Sequence, residues 1–170
     1  TGLAADLGVG VHVHVAEDVV DADASKRLRA SAAPDWLLVH GVHLADDHGL
    51  PGTIVHNPRS NAANGVGYAR PARFTNPIAL GTDGIDADML VEMQVAAELA
   101  GDDVLARRWL ATGYDLFPEA LHDRVGHGEL GLDVEVDGEL VLLGGRPTRV
   151  DAEEIRTKAA ERGRALAARW

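Results

Sequence analysis

The chain has 170 residues, 46% of them hydrophobic and 25% charged, which fits one ordinary globular domain, or one with a small appendage, and excludes disorder. Its formal net charge of -11 argues against general affinity for nucleic acid or an anionic membrane surface, both of which need a basic face. There is no cysteine, so disulfides and thiolate metal sites are excluded, and a transition metal would have to be held by histidine and carboxylate, a set suited to zinc, iron or manganese.

Four short apolar runs in the first half each stop at a polar residue. "VGVHVHV" ends near Glu17, "DWLLVH" at His40, "GTIVH" at His56 and "NPIALGTD" at Asp83. Runs of this kind, without strict alternation, suit strands buried on both faces, as in a parallel sheet. Polar residues at the C-terminal ends of successive parallel strands are the signature of an α/β barrel or a doubly wound sheet. The connections look trimmed. Residues 40 to 56 leave barely the roughly dozen residues that a parallel crossover requires. "SNAANGVGYARPARFTN", rich in glycine and proline, would support only a stunted helix.

After Asp83 the pattern changes. "DADMLVEMQVAAELAG" predicts a helix with Met89, Leu90, Met93, Ala96, Ala97 and Ala100 on one side and Gly101 as its stop. "DDVLARRWLATG" predicts a second helix. "LDVEVDGELVLLGGRPT" predicts two strands around Asp137-Gly138, a type I′ hairpin signal. Asp151 and Glu154 make a capping-box-like start for a last helix, which carries Ile155, Ala159, Leu166 and Trp170 on one face. No apolar run reaches membrane-spanning length and no signal peptide is visible, so the cytoplasm is the expected location, with no membrane partner. The start at Thr1, without methionine, is expected of a processed chain or of a piece of a longer polypeptide.

His12 and His14 share one face of their strand, and Glu17 lies just past its end, where the backbone can turn it toward the same pocket. A histidine ligand with a carboxylic acid beside it suits metal-assisted hydrolysis; an edge strand with a wet face explains the residues equally well. His40, with His43 three residues on, is a candidate site residue or a plain polar strand end. His56, Asn57, Ser60 and Asn61 form a turn around Pro58 that suits gripping a polar substrate or capping a helix. Asp83, between Thr82 and Gly84, faces a ligand at the strand ends or closes a tight turn.

Taken together and in order, "VHVHVAED", "LLVHGVHL", "IVHNPRSNAANGVGY" and "ALGTDGIDADML" resemble the C-terminal half of the amidohydrolase superfamily, in the branch of aminohydrolases, chlorohydrolase-like enzymes and nucleobase-type deaminases. The resemblance implies strands five to eight of a TIM-like (β/α)8 barrel over residues 1–112. It further implies an abbreviated small β domain over 113–150 and a C-terminal helix over 151–170. Position by position, it makes His14 and Asp83 metal ligands and Glu17 the acid that protonates a leaving nitrogen. His40 becomes a contact to substrate and attacking water, and Asp83 the acceptor of the water's proton. His56, Asn57, Ser60 and Asn61 lie beside the substrate. His12 matches a variable position and is not counted as a ligand.

The resemblance implies one divalent metal ion, zinc first and iron second, and a small heterocyclic substrate losing ammonia to metal-activated water. The family's first-strand H-x-H ligand pair has no place here, so the missing N-terminal half or a second copy is the expected partner, with a homo-oligomer as one form of it. Two other readings stay open: a non-catalytic remnant serving as a partner or scaffold domain, and a chlorohydrolase-like enzyme.

Overall fold

The computed structural model describes residues 2–116, 124–129 and 131–169, in two compact units, 1–116 and 117–170. In the first unit, helix α1 (Gly2–Leu7) precedes four strands, β1 (His12–Val15), β2 (Leu37–His40), β3 (Thr53–His56) and β4 (Ile78–Leu80). They form one sheet in the order β1-β2-β3-β4, every pair parallel. The apolar runs thus fold as parallel strands, as expected; β2, β3 and β4 lack alternation, whereas β1 alternates exposed histidine with valine.

The register sorts the side chains into two faces. Val15, Leu38, Ile54, Ile78 and Leu80 are buried in a cluster with Ala96 and Ala97 of α4 (Met89–Ala100) and Ala106 and Trp109 of α5 (Asp103–Asp115). The other face carries His12 and His14 on β1, aligned with Leu37 and Val39 on β2 and, through Val39, with Val55 on β3. His12 and His14 are exposed there. In a closed barrel this second face would line the interior; here it is exposed at His12 and His14 and buried at Val39, Thr53 and Ala79, and among the described residues β1 and β4 each keep one unpaired ladder edge.

The crossovers are as short as the sequence predicts. The first carries α2 (Ala24–Leu28) and the third α3 (Pro58–Ala63), of five and six residues. The second, between β2 and β3, has no helix. Arg73 takes over part of the hydrogen bonding that a helix would supply there, donating to the carbonyls of Gly41, Val42 and Leu44 while it stacks on Phe74. The buried His48 accepts the Leu50 N–H through Nδ1 in the same loop.

Helix α4 starts and stops where its residues require. Asp88 accepts the N–H groups of Leu90 and Val91, and Gly101 closes the helix in the left-handed region at φ 66°. Its inner side holds one residue absent from the expected apolar set, the fully buried Glu92.

The second unit is antiparallel, with β5 (Arg124–Gly128), β6 (Gly131–Val136), β7 (Glu139–Leu143) and β8 (Arg146–Pro147) in that order. Val136 pairs with Glu139 across Asp137 and Gly138, both with positive φ, which is the type I′ turn read from the sequence. Strands β5 and β8 were not anticipated; glycines at 126 and 128 and the two-residue length of β8 hide them. In α6 (Ala152–Ala167) Asp151 caps Glu153 and Glu154, while Glu154 pairs with Lys158. Ile155 and Leu166 are exposed, and Trp170 lies outside the described residues. Among the described residues no helix is long and apolar enough to cross a membrane.

Candidate metal centre

Three non-glycine residues with positive φ mark the C-terminal ends of the parallel strands: Ala16 after β1 (φ 48°), His40 ending β2 (φ 72°) and Asp83 after β4 (φ 53°). Such backbone is costly for a residue with a Cβ and collects at functional sites. At His40 it has a visible result. Strict alternation from Val39, which shares the face of His14, would send His40 to the helix side. Instead its ring meets that of His14 edge-on, with centroids 4.7 Å apart.

His40 Nε2 lies 3.1 Å from His14 Nδ1, 3.6 Å from a Glu17 carboxylate oxygen and 4.0 Å from Asp83 Oδ2. Ligand atoms of His14, His40 and Asp83 all fall within 4.8 Å of one another. His40 itself is fully buried, whereas the side chains of Glu17 and Asp83 are 31% and 28% exposed, so the cluster opens on one side. A tetrahedral ion with bonds of roughly 2.0–2.1 Å to nitrogen sets its ligand atoms about 3.3 Å apart, which the histidine pair already approaches. Two imidazoles and a carboxylate are a ligand set for zinc or iron.

The next layer of contacts orients this group. His40 Nδ1 is 2.8 Å from the buried Asn61 Oδ1, an acceptor, so Nδ1 carries the proton and the Nε2 lone pair faces the cluster. Asn57 Nδ2 stands 3.4 Å from the same nitrogen. Ser60 donates to Asp83 Oδ2 at 2.5 Å. That hydroxyl holds the Asp83 carboxyl below its ordinary value against partial burial, helped by the nearby His40 and His14. Asn64 donates to Glu17 at 3.1 Å.

The residues singled out in the sequence therefore divide. His14, Glu17, His40 and Asp83 converge, with His40 grouped among the possible ligands rather than only beside them. Asn57, Ser60 and Asn61 turn onto His40 and Asp83. His56 does not join them. It is fully buried beside Tyr68 and Trp109 of α5, neither ring nitrogen has a hydrogen-bond partner among the described residues, and burial pushes it down to about 3, with His40 adding to the effect. His12 stacks on His14 at 5.9 Å without entering the cluster. The sequence reading missed Asn64, Arg59, Asp86 and Glu92; only Glu92, a carboxylate on an apolar helix face, carried a readable signal.

A four-stranded parallel sheet with two histidines and an aspartate at its strand ends has the architecture of about half of an eight-stranded α/β barrel. No protein-family model matches the chain. An adenosine deaminase from Xanthomonas campestris with bound zinc superposes with a TM-score of 0.70 at 20% identity, over 98% of this chain and 53% of that one. A triazine hydrolase variant gives 0.60 at 18%, over 94% and 49%. The atrazine chlorohydrolase from Arthrobacter aurescens complexed with zinc gives 0.54 at 18%, over 94% and 50%. All are amidohydrolase superfamily members, the superfamily that the motifs resemble. At these identities the likeness carries the fold, and the chain spans about half the length of the structures it matches.

Proposed function

We propose that this chain is the C-terminal, metal-binding half of a metal-dependent hydrolase whose complete form is an aminohydrolase of an aminated nitrogen heterocycle. The observation that carries the reading is the convergence of His14, His40 and Asp83 with Glu17 at one open end of a parallel sheet. His14 and Asp83 would hold zinc, or iron, with His40 available as a third ligand or as a contact to the attacking water. A divalent ion there supplies a Lewis acid that makes water nucleophilic near neutral pH.

The chain's own groups have separate tasks. Asp83, kept ionised by the Ser60 hydroxyl, takes the proton of the attacking water. Glu17, partly exposed and oriented by Asn64, delivers a proton to the departing nitrogen. Asn61 fixes the tautomer of His40, so that Nε2 presents a lone pair to the cluster. The Asn57–Asn61 turn supports these groups from behind and borders the substrate. The remaining ligands and the rest of the ring pocket come from the missing N-terminal half, or from a second copy closing the barrel in the same way. One match is a chlorohydrolase, so halide loss is the runner-up chemistry; Glu17, a proton donor for a leaving amine, favours ammonia.

One observation favours a second reading, a non-catalytic partner domain. Among the described residues β1 and β4 each have an unpaired edge and His12 and His14 are exposed, so these residues by themselves do not enclose the cluster. The two readings separate on purified protein, by measuring bound zinc and iron and assaying ammonia release from a panel of aminated heterocycles, with and without an added N-terminal half. Ammonia release in the completed form is the expected outcome. Bound metal without turnover in any completed form would leave the partner-domain reading standing.

A further inference from the structure

Glu92 lies on the inner side of α4 between Met89, Met93 and Ala96, and no part of it reaches solvent. A carboxylate in that position costs several kcal/mol unless it is paired. Its Oε1 accepts the backbone N–H of Arg59 at 3.0 Å, and its Oε2, which has no hydrogen-bond partner among the described residues, stands 3.6 Å from Arg59 Nη1. The Arg59 guanidinium forks onto Asp86, at 2.9 and 2.5 Å. Asp86 in turn accepts the N–H of Asp88, the residue that caps α4. One arginine thus ties together the first turn of α3, the loop after β4 and the buried face of α4.

The location of that tie is what matters. Helix α3 has only six residues, too few to hold its position by its own hydrogen bonds, and its cap residue Asn57 makes no side-chain cap. Its first-turn N–H at Arg59 is satisfied from another helix instead. The two residues that follow Arg59 are Ser60 and Asn61, the ones that hold Asp83 and His40.

We infer that Glu92, Arg59 and Asp86 form a positioning triad that sets α3 so that Ser60 and Asn61 lock Asp83 and the tautomer of His40 in place for the metal. The role toward a metal rests on the function proposed above; the lock on His40 does not. None of the three touches the cluster, so they are positioning residues and not catalytic ones.

Asp86→Ala is the cleanest test, because Asp86 is 45% exposed and an ordinary surface ion pair contributes little to a fold. Histidine-labelled, metal-free chain is read by nitrogen NMR. In the parent, His40 shows a single Nδ1–H form, and His48, whose Nδ1 accepts from Leu50, shows the opposite tautomer and reports on folding. In Asp86→Ala, and more strongly in Glu92→Gln, His40 becomes a mixture while His48 is unchanged. Cobalt(II) affinity, measured by calorimetry, falls about tenfold, the cost typical of losing a partner behind a ligand. A single His40 tautomer in both variants, with His48 native, overturns the triad. A parent chain that takes up no cobalt sinks the metal-site reading, while the His40 signal still decides the triad on its own.

Discussion

His14 Nδ1 and His40 Nε2 stand 3.1 Å apart on neighbouring parallel strands, one ring edge-on to the other. Because His40 Nδ1–H donates to Asn61 Oδ1, His40 Nε2 is the acceptor in that contact and His14 Nδ1 the donor. A metal taken up between them requires His14 to move its proton to its other nitrogen. Titration with zinc is therefore expected to switch His14 from the Nδ1–H to the Nε2–H form, visible in nitrogen spectra. Replacing His14 or Asp83 by alanine should weaken zinc binding by more than the roughly 10–100-fold loss typical of outer partners. His12→Ala, which removes only a stacked neighbour, should leave the affinity unchanged.

Gly81 follows β4 where a Cβ would sit 2.5 Å from Asn57 Oδ1 and 2.8 Å from Val55 Cγ1. Gly81→Ala must push Asn57 away from His40 or shift the strand. Overpacking of this kind typically costs about 1–3 kcal/mol. Denaturant unfolding should show that loss, and wild-type stability in the variant would mean that Asn57 is not held where it is described.

His56 gives stability a defined pH dependence. Burial lowers it from 6.5 to about 3 in the folded chain, so between those values the unfolded chain binds a proton that the native chain refuses. Stability is full above the unfolded value and falls as the pH drops toward the folded one, with a slope of up to about 1.4 kcal/mol per pH unit. His56→Leu should flatten this acid limb in unfolding curves recorded across that window. An unaltered slope would place the acid sensitivity elsewhere.

Gly138 holds φ 77° in the β6–β7 turn. Gly138→Ala forces a Cβ into left-handed backbone at a cost of about 1–2 kcal/mol. Hydrogen exchange should quicken for the amides of β6 and β7 and stay unchanged at Leu38 and Ile54 in the first unit.

The parallel sheet was legible because its four runs stop at Glu17, His40, His56 and Asp83, and in the last three strands burial on both faces erases alternation. The hairpin was legible from Asp137-Gly138 alone, since few other dipeptides accept two positive φ values. The site was legible in its membership and not in its wiring. Nothing local to His40 reveals that its backbone turns left-handed, a conformation that residues with a Cβ seldom adopt. His56 has the same strand-end setting in sequence as His40, yet its ring goes to the helix layer. Glu92 was the clue passed over. It occupies a turn position between Met89 and Ala96, where helical periodicity asks for an apolar residue, and a carboxylate there calls for a buried partner.

The left-handed turn at His40 also shapes what could replace it. Glycine is the one residue that would relieve the backbone while leaving its path unaltered, and it would open a hole shaped like the lost ring, floored by Asn61 and walled by His14. Free imidazole added to a His40→Gly chain could settle into that hole and restore the missing nitrogen. The same dihedral angle that burdens the native fold thus makes this histidine a natural subject for chemical rescue.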